Sequence, residues 1–133
     1  MGARSVNATP CPCGSGHAYA ACCGRWHAGP NHLQAPDAEV LMRSRYCAYV
    51  RDDLAYLRAT WAPETCPADL APNPPGLKWL GLEVRQHAQQ DADHATVRFV
   101  ARSKLGGRAH RLQETSRFER RNGRWLYVGG DLN

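Results

Sequence analysis

Four cysteines stand within thirteen positions of the segment CPCGSGHAYAACCG, and two of them, Cys22 and Cys23, are adjacent. A disulfide scaffold spreads its crosslinks over the fold. Crowding of this kind suits one metal ion in a reducing compartment. Four thiolates from Cys11, Cys13, Cys22 and Cys23 can surround a single Zn²⁺ tetrahedrally. Gly14, Gly16 and Gly24 let the chain wrap the ion, and amide N–H groups near such turns are expected to donate to the sulfurs. Twenty residues bury little core, so the metal would supply most of the module's folding energy. With four protein ligands the zinc is structural, because no position remains for a reacting water.

Other readings of the segment fit less well. Adjacent cysteines do not match iron–sulfur spacings, and the Cys-x-x-Cys of a redox dithiol is absent. His17 or His27 would serve as a substitute ligand, but each reads as a surface histidine. The remaining cysteines are isolated. Cys47 falls in a helical stretch and reads as a buried structural thiol. Cys66 falls in a loop.

The 133 residues allow one ordinary domain plus a small appendage. Residues 1–9 read as a flexible lead, and Asn7-Ala8-Thr9 as a chance sequon, since no apolar leader precedes it. The clustered cysteines lead to the expectation of a cytoplasmic protein, and the lack of a long apolar run to that of no membrane association. The expected division is a lead and zinc module over 1–29 and a larger domain over 30–133.

Within that larger domain the period changes once. Pro36 or Asp37 opens a helix through AEVLMRSRYCAYV. Leu41, Arg45 and Ala48 share one face, and Met42, Tyr46, Tyr49 and Val50 crowd its neighbour. Asp52 or Asp53 caps a second helix, LAYLRATW, with Leu54, Leu57 and Trp61 inward. Five prolines make 62–76 a loop. From Lys78 the pattern alternates. Leu80, Leu82 and Val84 form one face of a first strand, and Val97, Phe99 and Ala101 one face of a second. Gly106-Gly107 makes a turn. The third strand places His110, Leu112, Glu114, Ser116 and Phe118 on one side. Asn122-Gly123 is a hairpin signal before a fourth strand with Trp125 and Tyr127. Two helices followed by an antiparallel meander make an α+β domain, with the helices covering one face of a curved sheet.

The inward faces carry few polar groups. Glu114 lies between Leu112 and Ser116, and a carboxylate there must be paired or neutralised. An internal ion pair with Arg45 is the structural expectation. A role as acid or base at a pocket rim is the functional one, which makes Glu114 the catalytic candidate. The formal charge of +5 is uneven. Residues 77–133 hold eleven basic and six acidic side chains, which permits an anionic partner such as RNA.

The segment CPCGSGHAYAACCG resembles the SEC-C motif, a small zinc-binding module found in the bacterial protein-export motor ATPase and in many otherwise unrelated proteins. Further along, LMRSRYCAYV, YLRATW, KWLGLEV and ETSRFERRNGRWLYVGGD are similar to the YchJ-like family of bacterial proteins. The resemblance runs from about Pro10 to Asp131. It implies a SEC-C module joined to a domain of the nuclear transport factor 2-like (cystatin-like) fold, a cone of helices on a curved sheet. The expected function is that of a zinc-stabilised binding or adaptor protein, with a protein as first-choice partner and RNA as second. The alternative is a small-molecule enzyme or ligand-binding protein using the cone.

Overall fold

The computed structural model describes residues 9–133. The expected lead, apart from Thr9, lies outside the described residues, as do Asn7 and Ala8 of the sequon. The chain forms a cysteine-rich loop with a 3-10 turn at Tyr19–Ala21, then three helices and four strands. The helices are α1 (Gly24–His27), α2 (Ala38–Val50) and α3 (Leu54–Ala59). The strands are β1 (Lys78–Asp91), β2 (His94–Leu105), β3 (Arg108–Arg121) and β4 (Arg124–Leu132), an antiparallel meander in the order β1-β2-β3-β4. No helix among the described residues is long and apolar enough to cross a membrane.

Capping sets the helix starts. The Asp37 carboxylate accepts from the Val40 amide at 2.8 Å, and the Asp53 carboxylate from the Tyr56 amide at 3.1 Å. Helix α2 is buried around most of its circumference and touches three different partners. Leu41, Met42 and Tyr46 face the sheet with Phe99, Phe118 and Trp125. Ala48 packs with Tyr56 and Leu57 of α3, beside Trp26 and Leu33. Cys47 packs against the four clustered cysteines. With three packed faces, the charged side chains of the helix are each bonded: Glu39 with Arg43, Arg43 also to Cys13 O, and the buried Arg45 to Leu57 O and Thr60 Oγ1.

The sheet departs from plain alternation in β1. Leu80 is 57% exposed, although alternation with Leu82 and Val84 places it inward. A register shift between Trp79 and Gly81 explains this, since an extra residue reverses the side-chain parity. Trp79, Leu82 and Val84 are therefore the residues that meet the core. The hairpin turns behave as expected, with Gly106-Gly107 and Asn122-Gly123 all at positive φ. Burial falls along the inner face of β3, from Phe118 and Ser116 through Glu114 to Leu112. His110, expected inward, is exposed because the β2–β3 hairpin runs past the helices.

Candidate metal centre and the cavity of the cone

The cysteine loop is shaped by its own backbone. The Cys11 amide donates to His17 O, the Gly14 amide to Cys11 O, and the Cys22 amide to Tyr19 O. Gly14 and Gly16 take φ of 81° and 88°, a region other residues rarely adopt. Gly24 serves a close approach instead, since a Cβ there would meet the Tyr19 carbonyl oxygen at 2.8 Å. The result brings the Sγ atoms of Cys11, Cys13, Cys22 and Cys23 within 4.8 Å of one another, all four residues buried. Tetrahedral Zn–S bonds of about 2.3 Å put sulfurs about 3.8 Å apart, and the Cys13–Cys22 pair stands at 3.6 Å. The donor set and spacing fit a tetrathiolate metal site.

Crowding divides the sulfurs electrostatically. Hydrogen bonds from Cys11 and then Cys23 hold the Cys13 thiol far below its ordinary range, whereas donation toward Cys11 and Cys13 pushes Cys23 far above it. Four neighbouring sulfurs cannot all be thiolates without a cation among them. Of the expected amide donors to sulfur, the Cys13 N–H serves the Cys11 thiol and helps lower its pKa, whereas the Cys11, Gly14 and Cys22 amides bond to carbonyls. The Ser15 hydroxyl lies 3.1 Å from Cys22 Sγ.

Two residues near the cluster differ from the sequence reading. Cys47 is fully buried as expected, but its Sγ lies 3.4 Å from that of Cys11, a fifth sulfur against the centre. Its position in α2, 24 residues beyond Cys23 in the chain, gave no local signal of this. His27 is not a surface histidine. Its Nδ1 meets the Tyr19 hydroxyl at 2.5 Å, its Nε2 meets Ser44 O at 2.8 Å, and its ring packs edge-on against Tyr56. A carbonyl only accepts, so Nε2 carries the proton and Nδ1 accepts from the hydroxyl. Burial pulls the His27 pKa down, favouring this neutral tautomer. Neither His27 nor the exposed His17 joins the sulfur cluster. Docking is completed by Arg43, which donates to Cys13 O at 3.0 Å, and by Arg51, stacked 4.2 Å over Tyr19. The module is thus fastened along α2. Cys66 is half-buried in its loop, near Pro67 O.

The cone encloses a cavity of about 290 Å³ between α2 and the inner sheet face. Met42, Phe99, Ala101 and Phe118 supply apolar wall, while Arg45, Glu114, Ser116, Tyr49 and Tyr127 supply polar atoms. Arg45 and Glu114 both reach this cavity but form no salt bridge with each other, contrary to the expected internal pair. Each is held by other groups. Arg45 Nη1 donates to Leu57 O at 3.0 Å and Thr60 Oγ1 at 2.8 Å, and the guanidinium sits over the rings of Trp61 and Tyr127. Glu114 accepts from the Ser116 hydroxyl and, at 3.2 Å, from the Tyr127 hydroxyl. Burial, reinforced by Glu114, pushes the Tyr127 pKa up to about 12, so it stays a donor. Burial also pulls Arg45 down from its ordinary value.

The profile of the SEC-C motif matches residues 9–25, and that of the YchJ middle NTF2-like domain matches residues 37–130. The chain belongs to the YchJ family. Its nuclear transport factor 2-like fold, preceded by a SEC-C motif, is therefore established. A UPF0225 protein of Bordetella pertussis is 59% identical over 122 residues, covering 92% of each chain. Another, from Methylibium petroleiphilum, is 60% identical over 124 residues, covering 93% of this chain and 89% of that one. Among solved structures, a SEC-C motif containing protein from Rhodopseudomonas palustris superposes with a TM-score of 0.77 at 32% identity, covering 92% of this chain and 98% of its own. A SEC-C motif containing protein from Psychrobacter arcticus gives 0.75 at 24% identity, covering 96% of this chain and 85% of its own.

Proposed function

We propose that this YchJ-family chain is a cytoplasmic zinc protein that works by binding, with one structural Zn²⁺ held by Cys11, Cys13, Cys22 and Cys23. The observation that carries the reading is the set of four buried sulfurs within 4.8 Å of one another. Four ligands close the coordination shell, so the ion's role is to hold the module's shape. Elemental analysis of protein purified without added metal tests this. One zinc per chain is expected, lost in the Cys22→Ser/Cys23→Ser double variant; metal retained at full stoichiometry would overturn the assignment.

As an adaptor, the chain would present the outer side of the module, where His17, Ala20 and Arg25 are exposed while Tyr19 and His27 face α2. A protein partner is favoured over RNA. Arg117, Arg120 and Arg121 of β3 are paired, with Asp131, with Asp93, and with Glu64 and Glu119 respectively, although Arg124 beyond the turn is exposed. Capture from cytoplasmic extract on the intact protein, against an Arg25→Glu variant and a charge-matched control, tests the surface. Retention of the same proteins by all three would remove it.

The second reading is small-molecule binding in the cone, favoured by the cavity and by the separation of Arg45 from Glu114. Glu114 remains the candidate acid or base there. Two hydroxyl donors hold its carboxylate in place as an acceptor, which suits a binding role before a catalytic one.

A further inference from the structure

Arg45 is 5% exposed, permanently charged, and without a carboxylate within salt-bridge distance among the described residues. Burying such a charge is costly unless something compensates it. Its bonds to Leu57 O and Thr60 Oγ1 both use Nη1, and its other polar neighbour is the Tyr49 phenol, so the groups that hold the guanidinium are all neutral. Trp79 Nε1 is also buried with no hydrogen-bond partner, and its ring lines the same cavity. On the sheet side, Glu114 is fixed by Ser116 and Tyr127, so it cannot swing across to Arg45 without breaking both bonds. Gly130 reinforces this, because a Cβ there would collide with the Glu114 carboxylate. The cavity therefore offers hydrogen-bond donors from Arg45, an acceptor from Glu114, and apolar wall, the Trp79 ring included, between them. Its fixed charges sum to zero.

We propose that the cone binds a small bifunctional molecule, one carrying a carboxylate for Arg45, an N–H or O–H donor for Glu114, and an apolar or aromatic body. The proposal rests on the small-molecule reading of the cone. The volume of about 290 Å³ is at the small end of ligand pockets. It has room for about ten groups the size of a water molecule, which suits a body no larger than one aromatic ring with a short chain. A ligand with only the carboxylate supplies the counter-charge that Arg45 lacks but places charge near Glu114 with nothing between. A ligand with only the donor leaves Arg45 as it was. Both groups together satisfy both walls.

Four probes share one body and differ only at the polar end: phenylalanine, 3-phenyllactate, 3-phenylpropionate and phenethylamine. Each is titrated into the intact zinc-loaded protein, with amide and indole N–H resonances followed by NMR. Phenylalanine or phenyllactate should bind about tenfold or more tighter than either single-function probe, moving the Trp79 indole signal. A preference between those two supports the proposal and names the donor. Leu112, 39% exposed and lining the cavity, allows a blocking variant that leaves the buried core intact. Leu112→Trp should weaken binding about tenfold or more, and Glu114→Gln should bring phenyllactate and phenylpropionate to near-equal affinity. If phenylpropionate binds the unaltered protein as tightly as phenyllactate, the bifunctional class is wrong although the cone remains a pocket. If no probe binds at about 10 mM, or Leu112→Trp changes nothing, both the proposal and the small-molecule reading of the cone fail.

Discussion

The two sites of this molecule handle charge in opposite ways. In the module, four like groups are forced together until only a cation can reconcile them. In the cone, two unlike groups that could neutralise each other are held apart. The module's groups come from one short segment whose backbone bonds are local. The cone's groups come from α2, β3 and β4, and their positions depend on the whole sheet. A site that depends on one ion should fail all at once, and a site that depends on a fold should fail in parts.

Removing the metal gives the largest contrast. Structural zinc contributes an apparent ~10–16 kcal/mol in isolated modules, and the loop has little core besides its sulfurs. Chelation, or the Cys22→Ser/Cys23→Ser change, should abolish amide protection over residues 9–27 in hydrogen exchange. Protection in the paired centres of β2 and β3 should persist. Simultaneous loss in both regions would show that the module and the cone are a single cooperative unit.

A smaller effect is expected from Gly24→Ala. The added methyl would meet the Tyr19 carbonyl at 2.8 Å, and backbone cannot yield as a flexible side chain does. Overpacking of this kind costs about 1–3 kcal/mol, and thermal unfolding with zinc bound should register it. Gly130→Ala is the matching probe in the cone. There the obstacle is the Glu114 side chain, which can move, so its effect should fall on ligand affinity before stability.

The contrast also explains what could be read from the chain. The clustering of the four cysteines, both helix caps and two glycine hairpins follow from residues close in sequence, and all are where local rules put them. Cys47 against Cys11, and His27 against Ser44, join segments 36 and 17 residues apart with no motif to announce them. The Arg45–Glu114 pairing failed as an expectation for a related reason. Facing the same cavity was legible from periodicity, but the competing partners Leu57, Thr60, Trp61 and Tyr127 depend on how α3 and β4 meet α2. Alternation could not foresee the irregularity in β1 either.

Docking of the module on α2 should depend on pH through His27. Its folded pKa lies below the ordinary value of 6.5, with burial the main cause. The unfolded chain therefore binds more protons, and stability rises with pH through this window. The His27 contribution is complete above about 6.5 and declines as pH falls toward the folded pKa. His27→Phe keeps an aromatic ring against Tyr56 but leaves Ser44 O and the Tyr19 hydroxyl without this partner, a loss of about 1–2 kcal/mol. Between pH 7 and 5.5 the unaltered protein should lose more stability than the variant. Equal losses would mean that acid acts on the module only through its thiolates.

The smallest expected effect separates the register shift in β1 from plain alternation. If Leu80 pointed inward beside Leu82, replacing it with serine would bury a hydroxyl and remove core volume, costing several kcal/mol. With the shift between Trp79 and Gly81 it stands 57% exposed, and Leu80→Ser should alter stability by no more than about 0.5 kcal/mol. Leu82→Ala, one step beyond the shift, removes a side chain that packs on both the core and the cysteine cluster. It should cost about 2 kcal/mol or more. Urea unfolding of the two variants side by side checks this. The order of the two values is the test, because alternation without the shift predicts comparable losses at both leucines. Leu82 is also where β1 touches the metal module, so its variant should lower the module's resistance to a chelator while Leu80→Ser leaves it unchanged.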